Sequence, residues 1–254
     1  MTWAGKRKFL YFLGFLTFLL VVIATPLFFI LRREPTCFDF KQNQGEKDID
    51  CGGPCLKLCS ALELEPAVLW HQAFKVATGT YTAVAYIKNP NLNAESVSVP
   101  YVFTLYDENN KIITERKGKT TIPAGGNLPG QNFTVFESGI LVGEKVPIRT
   151  TFDLSSEFTW TLARQFPQVT VVSHDIQNPD KSPLVTAKIE NKSLTPLGII
   201  DVTAIVYDVA GNAFAPSKTV IDRLDAQSTA EVIFTWPQSF TKSAARVEII
   251  PIPR

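Results

Sequence analysis

The stretch VPYVFTLYDENNKI, Val99–Ile112, decides the fold, because a related stretch, DVTAIVYDVAGNAF at Asp201–Phe214, follows it about 102 residues later. In both stretches apolar residues alternate with other residues up to a Tyr-Asp pair, and a short run that contains Asn comes next. A period of two is that of a β-strand with one buried face, and Asn, Asp and Gly favour turns. Each stretch therefore predicts a strand that ends in a tight turn.

The similarity extends beyond these strands. YTAVAYIKN, which ends at Asn89, aligns with LVTAKIEN, which ends at Asn191, and VPIRTTFDL from Val146 aligns with SAARVEIIP from Ser243. A repeat of this length is a pair of domains rather than a solenoid unit. About seven short strands in about 90 residues is the size of an immunoglobulin-like β-sandwich. We therefore expect a mainly β fold with two tandem sandwiches of this type.

The N-terminus carries the strongest single signal. Phe9–Leu31 is a run of 23 residues without a charge. A helix of that length spans about 34 Å, which is enough for a hydrocarbon core of about 30 Å. The alternative is a cleaved signal peptide, since Val22, Ile23 and Ala24 resemble a cleavage site. The apolar run continues past them and exceeds the usual signal core of about 7–15 residues, so we expect an uncleaved transmembrane helix.

The charges that flank this helix predict its orientation. Three basic residues precede it and two basic residues and one acid follow it, namely Lys6, Arg7, Lys8, Arg32, Arg33 and Glu34. The positive-inside rule then places the short N-terminus in the cytoplasm and the bulk of the chain outside. We expect a single-pass protein of the cell membrane. Its small helix residues, which a neighbouring membrane helix would contact, are Gly14, Thr17 and Thr25.

The whole chain then divides into five predicted segments. They are a cytoplasmic tail (1–8), a transmembrane helix (9–31), a disulfide-rich segment (34–60) and two β-sandwich domains (61–156 and 165–254). The chain has 25 basic and 24 acidic residues. This balance gives no electrostatic footprint for nucleic acid.

All four cysteines lie just behind the membrane helix, at Cys37, Cys51, Cys55 and Cys59. The segment is too poor in large apolar residues to form a core, so we expect two disulfides in an oxidising compartment. Four cysteines allow three connectivities, which the sequence leaves open. Four thiolates also suit zinc. A thiol-redox site is disfavoured because it needs Cys-x-x-Cys, whereas the gaps here are three residues or longer.

The same segment is rich in oxygen ligands. Glu46-x-Asp48-x-Asp50 imitates the start of an EF-hand loop, but Cys51 and Lys57 replace its glycine and final glutamate. Calcium in another geometry and simple turn capping both remain open. The candidate calcium ligands are Asp39, Asn43, Glu46, Asp48 and Asp50. No other cofactor is expected.

Two resemblances follow from these motifs. QNQGEKDIDCGGPCLKLC resembles a short Asp-Cys-Gly-Gly-x-Cys motif of secreted and surface proteins, which implies a surface module without an assigned activity. FTLYD resembles the FxLYD family of bacterial β-sandwich domains at Phe103, Leu105, Tyr106 and Asp107. The second copy keeps only Tyr207 and Asp208. This family implies extracytoplasmic binding or structural modules and no catalytic residues.

The two histidines give little support to an enzyme. His71 and His174 precede the equivalent Asn89 and Asn191 by 18 and 17 residues, so they occupy matching positions at the strand ends of two domains. A catalytic pair would have to reach one substrate together. We expect no enzymatic activity. The predicted role is an extracytoplasmic interaction or structural module that binds an envelope or surface protein.

Other roles remain open. One is an accessory subunit of a larger membrane machine, and the other is a thiol-redox or hydrolytic enzyme. The loops that we expect to contact a partner lie near Asn91, Asn109, Gly125 and Gly211.

Overall fold

The computed structural model is mainly β, with one N-terminal helix and two compact units, Met1–Cys55 and Leu56–Arg254. The residues that it describes are 3–31, 34–59, 63–156, 159–163 and 168–254. Several residues on which predictions rest lie outside these ranges, namely Arg32, Arg33, Ser60, Ala61 and Gln165.

The N-terminal helix α1 spans Trp3–Leu31 and contains Pro26 in its interior. Its segment Gly5–Phe29 is long and apolar enough to cross a membrane. Residues 3–8, the described part of the predicted cytoplasmic tail, are helical and continuous with the apolar run, because no breaker separates them. The hydroxyls of Thr17 and Thr25 donate to backbone oxygens four residues earlier, at 2.8 and 2.6 Å, so neither hydroxyl needs a partner from another helix.

Two sets of strands follow, one for each copy of the repeat. The first set is β1 Ala67–Ala77, β2 Thr80–Lys88, β3 Ala94–Tyr106, β4 Ile112–Ile122, β5 Asn132–Leu141, β6 Arg149–Leu154 and the short β7 Thr161–Leu162. The second set is β8 Val169–Gln177, β9 Leu184–Asn191, β10 Ile200–Tyr207, β11 Ala213–Ile221, β12 Thr229–Thr235 and β13 Arg246–Pro253.

The two sets have the same topology. The first forms the antiparallel sheets β1-β2-β5 and β4-β3-β6, and β7 pairs with β3 beside β6. The second forms β8-β9-β12 and β11-β10-β13, so each strand from β8 to β13 matches one from β1 to β6. The internal repeat is therefore present in the fold. Each copy has six matching strands, where the sequence suggested about seven.

Each pair of sheets encloses an apolar core. In the first, Val99, Tyr101, Phe103 and Leu105 are buried as the alternation predicts, but Val97 is 64% exposed. The strand pairing slips between Ser96 and Val99, and Ser98 adopts a φ of 58°. Such a bulge interrupts the alternation of side chains, and it turns Val97 outward.

The described residues of Leu56–Arg254 contain a third cluster, between the two sandwiches. It consists of Tyr86, Ile205, Tyr207 and Ile250, with Trp70, Ala213 and Ile252 packed against it. It joins sheet β1-β2-β5 of the first sandwich to sheet β11-β10-β13 of the second. As a result β2 and β10 are buried on both faces over most of their length. The prediction of one buried face for β10 is thus wrong, because a second sandwich covers its other side.

A segment that the sequence left between the domains also belongs to the first sandwich. Trp160 is almost fully buried in the first core. The Leu58 amide donates to the Trp160 carbonyl at 2.9 Å, and the Leu162 amide donates to the Leu56 carbonyl at 2.8 Å. The chain just after Cys55 is therefore held to the first sandwich by backbone pairing.

Candidate functional site

The repeated asparagines are structural residues at the ends of β2 and β9. Asn89 and Asn191 are fully buried. The Asn89 amide donates to the Ala94 and Pro123 carbonyls, and the Asn191 amide donates to those of Thr195, Leu224 and Asp225. Each side-chain oxygen accepts the backbone N–H two residues later. A fully buried Asn191 is inaccessible to glycosylation, although Asn-Lys-Ser is a sequon.

The repeated aspartates start the turns that the sequence predicted for them. One carboxylate oxygen of Asp107 accepts the amides of Asn109 and Lys111, and one of Asp208 accepts those of Ala210 and Asn212, all at 2.9–3.0 Å. The Lys242 ammonium, 2.7 Å from Asp208, together with these amide donors, lowers the pKa of this carboxyl. Asp107 and Asp208 therefore stabilise the fold and are not predicted to act on a ligand.

The tyrosine of each Tyr-Asp pair lies against an arginine of the neighbouring strand. The Arg149 guanidinium lies 3.8 Å from the Tyr106 ring centroid, and that of Arg246 lies 3.9 Å from the Tyr207 centroid. The two arginines occupy matching positions in VPIRTTFDL and SAARVEIIP. The aligned arginines were visible in the sequence, but a cation–π pair was not predicted from them.

A polar network fixes the contact between the sandwiches. The hydroxyls of Tyr86 and Tyr207 donate to the two carboxylate oxygens of Glu248, at 2.5 and 3.0 Å, and Arg246 donates to the same group at 3.2 Å. Burial, reinforced by the Glu248 carboxylate, raises the pKa of both tyrosines well above their usual range. The hydroxyl of Thr134 also donates to that of Thr203 at 3.0 Å, in a buried position.

The cysteine segment is closed by two disulfides. Cys37 is bonded to Cys55, and Cys51 and Cys59 are disulfide-bonded as well. No free thiol therefore remains for redox chemistry or for zinc in this state of the chain. Gly53 has a φ of 57°, and a side-chain carbon there would lie 2.2 Å from the Gly45 carbonyl oxygen, so this tight turn requires glycine.

The predicted calcium ligands bind mainly the backbone of their own loop. Asp50 accepts the amides of Asp39 and Phe40, Asp39 accepts the side-chain amide of Asn43, and Glu46 accepts the backbone amide of Asn43. Asp48 accepts the next amide along the chain. Among the described residues, the metal-ligand groups that converge within 4.8 Å are Cys37, Glu46 and Cys55. Two of these are oxidised, so this cluster does not fit a cation, and calcium binding stays a prediction.

The two histidines occupy equivalent positions, as predicted. His71 pairs with Ala85 and His174 pairs with Ala187, inside β1 and β8. They lie within their strands and not at the strand ends as the sequence suggested. The imidazole Nδ1 of His71 is buried without a hydrogen-bond partner among the described residues, whereas His174 is exposed.

The four loops expected to contact a partner fall into two groups. Asn91 and Gly125 are buried, and the Gly125 amide donates to the Asn91 carbonyl at 2.8 Å. These two residues are therefore not at the surface, but Leu92 in the same loop is exposed, so a contact through this loop stays a prediction. Asn109 and Gly211 are exposed in the turns that follow Asp107 and Asp208.

The far end of the first sandwich presents apolar side chains to solvent. This end lies opposite the one where the chain enters β1. Ile112, Leu141, Val146 and Ile148 are exposed there, beside exposed charged residues such as Lys111 and Glu144. Ile112 pairs with Tyr106, and the Ile148 amide donates to the Tyr106 carbonyl at 2.9 Å. We call these four residues the apolar end.

The second sandwich differs at two of these positions, although Val209 is exposed in its equivalent turn. The aligned residues for Val146 and Ile148 are Ser243 and Ala245. The Ala245 amide donates to the Tyr207 carbonyl at 2.9 Å, which is the same contact as the one that Ile148 makes. The fold therefore does not require a large apolar residue at the Ile148 position.

Comparison with known proteins assigns no family. No protein-family model and no curated protein matches the chain. Among solved structures, a Bacteroides uniformis β-glucuronidase 2 with a covalently bound cyclophellitol-6-carboxylate aziridine is similar at 11% identity and a TM-score of 0.22, over 66% of this chain and 22% of that one. A second Bacteroides uniformis β-glucuronidase is similar at 12% identity and a TM-score of 0.20, over 70% and 22%.

The chain thus spans about a fifth of the length of these solved structures. Likenesses this low carry no argument about activity. The resemblance to the FxLYD family stays a prediction.

Proposed function

We propose that this chain is a single-pass membrane protein whose two sandwiches form one extracytoplasmic module that binds an envelope or surface protein. The apolar helix and the fully oxidised cysteines support the anchor and the oxidising side of the membrane. The N-terminus is then cytoplasmic, as the basic residues before the helix favour.

The single observation that carries the binding role is the apolar end. Exposed apolar groups that the fold does not need are typical of interaction sites. The first sandwich has valine and isoleucine where the second has serine and alanine in the same backbone geometry. The buried contact between the sandwiches supports presentation of this end by a rigid body.

The test is site-specific photocrosslinking in intact cells of the native host. A photoreactive residue replaces Ile148, and the matched control replaces Ala245, which holds the same position in the second sandwich. We expect Ile148 to crosslink to a distinct protein and Ala245 to give much less of that product. Equal products from both positions, or none from either, would refute the apolar end as the binding surface.

The identity of the crosslinked protein decides between the two interaction roles. A surface protein supports the presentation module, whereas integral membrane subunits support the accessory role in a larger machine. Protease treatment of inside-out membrane vesicles checks the topology, because the proposal requires the sandwiches to be protected in the lumen.

A further inference from the structure

A cavity of about 290 Å³ lies where the two sandwiches meet, between β1-β2-β5 of the first and the β11 edge and β12–β13 segment of the second. Polar and apolar groups line it in about equal measure, and its five aromatic residues are Phe74, Phe136, Phe214, Trp236 and Phe240. Ligand sites occur preferentially as concave apolar pockets at domain interfaces. The volume lies near the lower limit of such pockets, so it suits a single ring with a short arm.

The aromatic wall is already assembled. The Phe240 ring meets the Phe214 ring at 5.4 Å and 87°, and the Trp236 ring at 5.1 Å and 72°. These are the edge-to-face arrangements that aromatic rings favour. All three rings also pack against the core of the second sandwich. The core of the second sandwich therefore holds these rings in place, and a ligand ring can bind without changing their arrangement.

These rings are not a requirement of the sandwich fold. Trp236 and Phe240 lie between β12 and β13, and the matching segment of the first sandwich, Val142–Ile148, contains no aromatic residue.

The charge of the pocket favours an anion. Its described lining contains Lys75 and Lys218 but neither Asp nor Glu. Lys218 forms an ion pair of 2.9 Å with Asp201, which also binds Arg254. Lys75 is exposed, and no ion pair is found for it among the described residues, so its ammonium is available to a ligand. Hydroxyls of Thr82 and other lining residues add neutral donors.

We propose that this pocket binds a small amphiphilic carboxylate, with its ring or alkyl body on the Trp236–Phe240 wall and its carboxylate at Lys75. The site is separate from the apolar end and does not depend on the function proposed above. The ligand could be a free aryl or alkyl acid or the C-terminal aromatic residue of a peptide, since both have this chemistry.

The test is calorimetric titration of the full chain in lipid nanodiscs, with empty nanodiscs as the blank. The probes are 3-phenylpropionate and its neutral amide, 3-phenylpropanamide. We expect the acid to bind with a Kd of about 1 mM, as a ligand of about eleven non-hydrogen atoms allows. The amide should bind about fivefold more weakly, which is the size of one exposed charge pair.

Variants locate the binding. Lys75→Gln should weaken the acid about fivefold and leave the amide unchanged, while Lys145→Gln, an exposed lysine elsewhere on the first sandwich, should change neither. Phe240→Ala should weaken both probes about tenfold. Should Phe240→Ala fail to fold by circular dichroism, Lys75→Gln still decides, because it removes only a surface charge.

The peptide Gly-Gly-Phe, with a free or an amidated C-terminus, distinguishes the two sources. Binding of the free peptide acid supports a chain end as the ligand, and its failure beside a binding phenylpropionate supports a small free acid. Three results would overturn the proposal: neither acid binds up to about 10 mM, acid and amide bind equally, or the two lysine variants weaken the acid equally.

Discussion

The contact between the two sandwiches leads to a sharp prediction at Ile205. This side chain is fully buried, and it lies on the face of β10 that packs against the first sandwich. Ile205→Ala removes three buried carbon groups. At about 0.8 kcal/mol for each, with a further cost for the cavity, the free energy of unfolding should fall by about 3 kcal/mol.

The assay is urea unfolding of the full chain in detergent micelles, followed by two probes that report on different sandwiches. Tryptophan fluorescence of a variant that keeps only Trp160 reports on the first, and one that keeps only Trp236 reports on the second. Because the two sandwiches share a buried face, Ile205→Ala should shift both transitions together.

The control is Thr104→Ala, because Thr104 is the repeat equivalent of Ile205 on the outer side of the first sandwich. Thr104→Ala should lower the free energy of unfolding by much less than Ile205→Ala does. The reasoning would be refuted by a loss below about 1 kcal/mol, or by a shift confined to the second sandwich.

Three further predictions concern buried polar groups and the disulfides. Asn191→Ala should lower the free energy of unfolding by about 3 kcal/mol, since the two amide N–H donors and the oxygen that accepts the Ser193 amide each lose a hydrogen bond worth about 1 kcal/mol. A loss under about 1 kcal/mol in urea unfolding would contradict this. The raised pKa values of Tyr86 and Tyr207 contribute stability that is complete below the ordinary tyrosine pKa of about 10 and is lost as the pH rises above it. Melting temperatures measured across this range should therefore fall, and the double Tyr→Phe variant should flatten the fall. Reduction of the disulfides, including Cys37–Cys55, should make residues 34–59 susceptible to protease, and mass spectrometry of the fragments detects this. The melting transition of the sandwiches should stay unchanged. Loss of that transition would show that the disulfides stabilise more than their own segment.

Much of the fold could be predicted from local signals. The charge-free run predicted α1, and the Tyr-Asp pairs predicted two strands that end in aspartate-capped turns. Both signals depend only on residues that are close together in sequence. Because similar sequence patterns in one chain adopt similar folds, a strand predicted in one sandwich could also be predicted at the aligned position of the other.

The features that were missed depend on contacts between distant residues. Thr82, Val84 and Tyr86 alternate with core residues along β2, so the strand resembles an ordinary buried strand whether or not a second sandwich covers it. The bulge at Ser98 and the burial of Trp160 likewise depend on tertiary packing. The apolar end became visible only when residues of equal backbone geometry were compared between the two copies.

The two sandwiches are joined through unlike surfaces. The first uses its β1-β2-β5 sheet, whereas the second uses β11-β10-β13, which matches β4-β3-β6. Contact between unlike surfaces has no inherent end, since each added copy would offer the same free surface again. The outer face of sheet β8-β9-β12 is different, however. Thr186 and Lys188 there occupy the positions of Val84 and Tyr86, which the second sandwich covers in sheet β1-β2-β5.

Sheet β4-β3-β6 of the first sandwich differs in the same way from its counterpart in the second. Thr104 and Asp153 occupy the positions of Ile205 and Ile250. Polar outer faces are what terminates stacked repeats. These four exchanges, on β9 of the second sandwich and on β3 and β6 of the first, thus distinguish the outer faces from the faces that join the two sandwiches. Lys188→Tyr with Thr186→Val would recreate half of the joining surface, so that fibre growth would need only the other half.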